Sequence, residues 1–281
     1  MSDTGSSTPS EGYARPAIAG SGAIACGLAA SASALGEVIV LARSEESARR
    51  AERDACDAAS KLDGGAPGRI SVTTDACALE GSDLVVEAIV EDLQTKSDLT
   101  ADLAARCPGA DLATTTSSLR ISELADLAGI EDRLFGLHVF NPVTKMKLVE
   151  LCLPPQLDAG VRSRAIAWCE GLGKSVVEVP DQSGFVVNRL LFPFLFDAVR
   201  MLEGESLDAT AVDTCMTLGA GHPMGPLELL DFVGLDVAVA IGEELHGESG
   251  LSSHEPPRLL RALVAEGRLG RKSGAGFHNY E

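Results

Sequence analysis

Ala17-Ile18-Ala19-Gly20-Ser21-Gly22-Ala23-Ile24-Ala25 is the stretch whose reading settles the fold class. A short apolar lead-in ends in Gly20-x-Gly22-x-x-Ala25, and each small residue has a physical job. The first glycine permits a tight turn, the second lets the backbone approach a pyrophosphate, and the third position must be small for helix–strand packing. A phosphate held there meets a helix N-terminus, where unpaired N–H groups and the helix dipole favour an anion. Ser21, Ala23 and Ile24 complete the expected cofactor turn. With 29 glycines in the chain, a plain βα turn is the competing reading. The flanks favour the nucleotide turn. Residues 27–35 are small and helix-compatible, and Glu37-Val38-Ile39-Val40-Leu41-Ala42 carries a buried-strand pattern. Strand, glycine turn, helix and strand make one right-handed βαβ unit.

Working outward, residues 43–62 form a charged amphipathic helix closed by Asp63-Gly64-Gly65-Ala66-Pro67-Gly68. Strands are predicted over 70–74, 83–89, 111–115, 134–140, 147–152 and 175–179, with helices over 93–107, 122–128 and 159–172. After Gly184 the β signal disappears, and helical periodicity runs through 186–203, 209–218, 227–245 and 257–266. The pattern predicts an α/β protein: a flexible tail over 1–15, a Rossmann-type dinucleotide-binding domain over 16–182, and a smaller all-helical domain over 183–281.

Composition narrows the function. Lys and Arg number 23 against 41 Asp and Glu, a formal charge of −18 in 281 residues. So acidic a surface repels nucleic acid and anionic membranes, so no partner of either kind is expected. The seven cysteines form no C-x-x-C pair and flank no histidine cluster. They predict free buried thiols in a reducing cytoplasm and no metal site. Residues 16–36 are uncharged and follow Arg15, as an export signal would be, but glycines and serines dilute the apolar run. The reading is therefore cytoplasmic.

Two places carry chemistry. The second strand ends Leu41-Ala42-Arg43-Ser44, without the acid that would hold an NAD ribose. Arg43 and Ser44 suit a 2′-phosphate instead and tilt the expected cofactor towards NADP, unless Arg43 is simply a solvated helix-start residue. Further on, His138 lies near the end of the apolar strand Leu134-Phe135-Gly136-Leu137-His138-Val139-Phe140, and Glu150 twelve residues later lies inside another apolar strand. A carboxylate there is costly to bury unless paired. A turn over 141–145 would return Glu150 to the His138 ring, giving a general base with its orienting carboxylate. Spacing alone leaves open a satisfied strand-end histidine and an edge-strand glutamate.

The motifs together resemble the short-chain L-3-hydroxyacyl-CoA dehydrogenase family, which includes 3-hydroxybutyryl-CoA dehydrogenases. The resemblance is carried by GSGAIACG from Gly20, VVEAIVEDLQTK from Val85, TTTSSL from Thr114, GLHVFNPV from Gly136 and MKLVEL from Met146. It continues in SGFVVNRLL from Ser183, LGAGHPMGPLELLDFVGLD from Leu218 and GRKSGAGFHNY from Gly270. It implies His138 as catalytic base, Glu150 as its steadying carboxylate, Ser117 on the substrate oxygen, and Asn188 completing the site. Glu91, Lys96, Asn141 and Lys272 match cofactor-side contacts. The implied reaction moves a hydride between a nicotinamide cofactor, NAD(P), and C3 of a 3-hydroxyacyl thioester, in a homodimer joined through the helical domain. Ser117 and Asn188 can equally be helix caps, and Lys96 and Lys272 surface lysines. Thr115 replaces the usual asparagine and Ser183 the usual proline. The segment between Arg43 and Ile70 is shorter than the family's helical hairpin, which helps hold coenzyme A. An acyl carrier protein is therefore the alternative thioester carrier to coenzyme A, with Lys61 and Arg69 as candidate phosphate contacts, and a non-catalytic dinucleotide-binding protein is the remaining reading.

Overall fold

The structure is a computed structural model describing residues 12–204 and 207–280. The chain divides into two compact units, Met1–Gln182 and Ser183–Glu281.

In the first unit, strands β1 (Pro16–Ala19), β2 (Val38–Leu41), β3 (Ile70–Thr73), β4 (Leu84–Glu87), β5 (Asp111–Thr114), β6 (Leu134–Val139), β7 (Leu148–Cys152) and β8 (Ser175–Val179) form one sheet. Their order is β3-β2-β1-β4-β5-β6-β7-β8. Strands β1 to β6 are parallel; β7 runs antiparallel to β6 and parallel to β8. Helices α1 (Ala23–Ala32), α2 (Glu45–Ser60), α3 (Leu93–Arg106), α4 (Ile121–Ala128) and α5 (Ala159–Gly171) make the connections. Crossover helices cover both faces of a parallel sheet, so its inner strands are apolar throughout. Accordingly, every residue of β1, β4, β5 and β6 is buried. Helix α2 turns Ala48, Ala51, Ala55 and Ala59 inward and leaves its charges in water. The strand order reverses between β1 and β4, and ligands of such sheets bind beyond the carboxyl ends of the strands at that point.

The expected tail runs too far into the fold. Residues 1–11 lie outside the described residues, but Tyr13 is buried, its hydroxyl donating to Asp111 at 2.7 Å and its ring edge-on to Trp168 at 6.2 Å. The Ala14 and Arg15 amides donate to the Asp83 carboxylate. These partners are far away in sequence, which is why local composition missed them.

The second unit holds α6 (Val187–Gly204), α7 (Ala209–Thr214), α8 (Pro226–Val233), α9 (Leu235–Ser249) and α10 (Arg258–Ala265). Phe192, Leu195, Phe196, Leu227, Leu230, Leu245 and Leu260 form the centre of its core. Two expected helices differ. The one over 209–218 gives way after Thr214 to a π-helical turn, Cys215–Gly219. The one over 227–245 is broken at Gly234, whose φ of +104° lies outside helical geometry and favours glycine. The C-terminal strand-like segment is tied to α8, because the Asp231 carboxylate accepts from the Phe277 and His278 amides and the Tyr280 hydroxyl.

Candidate active site at the carboxyl edge of the sheet

Parallel register brings the expected residues of the first unit to one edge. Ala19 pairs with Glu87, Glu87 with Thr114, and Thr114 with Gly136. The segments leaving these strands, 20–24, 88–91, 115–118 and 140–141, therefore emerge side by side. The glycine turn is built as a cradle. Gly20 has φ +150°, and a Cβ there would lie 2.2 Å from the Ala88 carbonyl oxygen, so only glycine fits. A Cβ on Gly22 would meet nothing within 4 Å, and Gly22 caps α1 without any side-chain hydrogen bond. Open space in front of the first amides of a helix is what a pyrophosphate requires. These residues fit a dinucleotide.

At the end of β2, Arg43 is exposed and Ala42 buried where an acid would stand. Ser44 is engaged locally. Its hydroxyl accepts from the Ser47 amide while the Ser47 hydroxyl accepts from the Ser44 amide, a capping box that starts α2. Ser44 is therefore the N-cap of α2, and Arg43 is the exposed cation at the strand end.

His138 and Glu150 meet. They are directly opposed in the β6–β7 ladder, and Nδ1 lies 2.6 Å from the Glu150 carboxylate with both side chains buried. The Phe140 ring packs against the imidazole at a centroid distance of 4.5 Å. With Nδ1–H donating to the carboxylate, Nε2 is the ring nitrogen left to accept a proton. The turn that sets this register carries Asn141, which is exposed, and is clamped by Lys174. That ammonium donates to the Met146 carbonyl at 2.7 Å and to the Val143 carbonyl.

Glu91 and Lys96 belong to one ionic cluster, in which Lys96 is buried and Glu91 partly exposed. The Lys96 side chain is 1% exposed, so it is no surface lysine; its ammonium lies 2.9 Å from Glu87 and 3.4 Å from Glu91. One Glu91 oxygen accepts from the Thr116 and Ser118 hydroxyls and from the Ser117 and Ser118 amides. Burial alone would raise the Glu91 carboxyl; the Lys96 ammonium and these donors outweigh it and hold the group below the ordinary carboxylate range. Ser117 is thus fixed through its backbone. Glu87, which the sequence reading did not single out, accepts from Lys96, the Thr114 hydroxyl and the Ile89 amide.

Two expected residues leave the site. Lys61 and Arg69, taken as thioester phosphate contacts, lie at the opposite edge of the sheet, because α2 runs back antiparallel to β2 and Arg69 immediately precedes β3. Lys61 pairs with Asp57 in solvent, and Arg69 donates to the Ser33 carbonyl at the end of α1. In the helical unit, Asn188 is buried near the start of α6, just after Phe185, the one described non-glycine residue with positive φ, at +46°. Lys272 pairs with Asp236 in the same unit.

A dinucleotide-type turn beside a buried histidine–carboxylate pair is the arrangement of a dinucleotide-dependent dehydrogenase. Comparison with known proteins makes this particular. Residues 16–182 match the NAD binding domain of 3-hydroxyacyl-CoA dehydrogenase, and residues 184–280 match the C-terminal domain of the same enzyme. The hydroxyacyl-coenzyme A dehydrogenase of human mitochondria is 42% identical over 217 residues, 75% of this chain and 68% of that one. The crystal structure of Mycobacterium tuberculosis FadB2 superposes with a TM-score of 0.91 at 36% identity, covering 96% of this chain and 100% of that one. The (S)-3-hydroxybutyryl-CoA dehydrogenase of Ralstonia eutropha gives 0.89 at 31% identity, over 96% and 99%. The chain belongs to the 3-hydroxyacyl-CoA dehydrogenase family. No helix among its described residues is long and apolar enough to cross a membrane.

Proposed function

We propose that the protein is an oxidoreductase moving a hydride between a nicotinamide cofactor and C3 of a 3-hydroxyacyl-CoA or 3-ketoacyl-CoA thioester. The observation that carries this reading is the buried His138–Glu150 pair at the edge that also bears the glycine turn. His138 is the base: Nε2 takes the proton from the C3 hydroxyl, and Glu150 steadies the imidazolium that results. The bound nicotinamide supplies the acceptor or donor of the hydride. Ser117 hydrogen-bonds the oxygen on which charge develops, and Asn188 is assigned to the same oxygen by its match to the family motif. Gly20, Ser21, Gly22, Ala23 and Ile24 hold the pyrophosphate, with Glu91, Lys96, Asn141 and Lys272 retained as cofactor-side residues.

The cofactor is NAD(P), with NADP favoured over NAD because Arg43 stands exposed beside Ala42 where an acid would repel a 2′-phosphate. Coenzyme A is the carrier proposed. A carrier-protein thioester is the second reading, favoured by the short segment after Arg43 and by the displacement of Lys61 and Arg69 from the site edge. The protein acts as a homodimer through the helical unit, in the cytoplasm. Acetoacetyl-CoA reduction followed in parallel with NADH and NADPH tests the reading. NADPH should be preferred, and Arg43→Ala should raise the NADPH KM about tenfold or more while leaving that for NADH within about threefold. Preference for NADH in both proteins would overturn the cofactor assignment, and no turnover with either would favour the carrier-protein thioester.

A further inference from the structure

We infer that Glu87 is a positioning residue of this reaction, acting through Lys96 and Glu91 on Ser117. The inference rests on the function proposed above, and specifically on Ser117 contacting the substrate oxygen.

A carboxylate at the end of a fully buried strand is costly unless charge and hydrogen bonds compensate it. Glu87 is 1% exposed and has four contacts: both oxygens face the Lys96 ammonium at 2.9 and 3.0 Å, and the Thr114 hydroxyl and Ile89 amide each donate at 2.7 Å. Its partners come from three places: β5 supplies Thr114, α3 supplies Lys96, and the segment leaving β4 supplies Ile89. Lys96 reaches on to Glu91 at 3.4 Å, and the other Glu91 oxygen gathers the four donors of residues 116–118. The order of contact is therefore Glu87, Lys96, Glu91, Ser117. Each link is an ion pair or charge-assisted hydrogen bond, and the Glu87–Lys96 link is closed to water, where such bonds are strong and directional.

The cluster holds two carboxylates and one ammonium. While Glu87 is anionic, Lys96 is shared and Glu91 keeps its hold on the serine loop. With that charge removed by Glu87→Gln, Lys96 has one anionic partner and closes on Glu91, drawing that carboxylate off the Ser117 amide. The hydroxyl of Ser117 then loses its fixed place relative to the substrate oxygen, while the glycine turn is untouched.

The test is a double-mutant cycle with Glu87→Gln, which keeps shape and acceptor capacity, and Ser117→Ala, assayed with acetoacetyl-CoA and the better nicotinamide dinucleotide. Glu87→Gln alone should lower kcat about ten- to a hundredfold, and any change in the dinucleotide KM, to which Lys96 and Glu91 contribute, should be the same whether or not Ser117 is present. In the Ser117→Ala background the same change should lower kcat by less than about threefold, because the group it positions is gone. Equal losses in both backgrounds, or an unchanged kcat in Glu87→Gln, would overturn the proposal. An unchanged kcat in Ser117→Ala would instead overturn the underlying reading of Ser117, and the role of Glu87 with it. Circular dichroism and a thermal midpoint establish folding. Should Glu87→Gln fail to fold, Thr114→Val removes one donor from the same carboxylate at nearly constant volume and goes through the same cycle, with the same non-additivity expected and additive losses overturning the proposal.

Discussion

Glu87 and Glu150 obey one rule: a carboxylate in an apolar strand must find a cation or a set of donors. For Glu150 the rule points to His138, because the partner lies one hairpin away. Applied to the last residue of Leu84-Val85-Val86-Glu87, it would have flagged Glu87 as well, although its partners on α3 and β5 are separated by crossovers that spacing does not resolve. Cysteine chemistry is also a residue-scale matter. Cys26, Cys107, Cys152 and Cys169 are buried, but Cys77 and Cys215 are exposed, so the expectation of buried thiols holds for only part of the set. Burial is the main cause that pushes the Cys26 thiol from 9.0 up to about 11, with Asp54 adding to it. A folded pKa above the unfolded one stabilises the native state fully below pH 9.0, and that contribution is lost as pH rises towards 11. Alkylation of the native protein at pH 8 should therefore modify Cys77 and Cys215 first and spare Cys26, Cys152 and Cys169. Peptide mass mapping reads this out, and early loss of the buried thiols would contradict the packing described.

At the scale of elements, the βαβ order was legible because hydrophobic periodicity changes from 2 to 3.6 and small residues mark the turns. Strand-end details were less legible. Gly234 sits inside an unbroken apolar period, so only its positive φ separates α8 from α9. Tyr13 reads as tail because the Asp111, Arg164 and Trp168 surroundings that hold it assemble only when the sheet forms. The glycine turn carries the sharpest element-scale prediction. Gly20→Ala would drive a methyl group into the Ala88 carbonyl, 2.2 Å from the new Cβ. It should destabilise the first unit by about 1–3 kcal/mol or more and weaken dinucleotide binding, whereas Gly22→Ala, facing open space, should fold normally and weaken binding alone. Urea unfolding with and without dinucleotide separates the two. Equal stability of both variants would count against the tight turn.

At the scale of the whole molecule, the acidic charge and the exposed apolar face of α6 bear on assembly. Leu190 and Met201 are exposed at helical spacing with half-buried Phe194 between them, Leu190 being 70% exposed, and Val186 is exposed just before the helix. The Phe194 ring packs at a tilt against His222, and Leu218 in the π-helical turn before His222 is 83% exposed. Large apolar side chains grouped this way on a monomer mark a contact surface. The proposed homodimer would use this face: Leu190→Glu should then shift the mass measured by light scattering from dimer to monomer without changing the helical circular dichroism signal. A persistent dimer would move the interface elsewhere on the helical unit.

The central claim is that His138, oriented by Glu150, is the proton-transferring group of a 3-hydroxyacyl-thioester dehydrogenase. The most direct measurement is the loss of reduced-nicotinamide absorbance with acetoacetyl-CoA, for the protein and its His138→Gln variant, alongside titration of dinucleotide binding. The account predicts a drop in turnover of about 10²–10⁴-fold with dinucleotide affinity retained. Turnover that survives the substitution would contradict it.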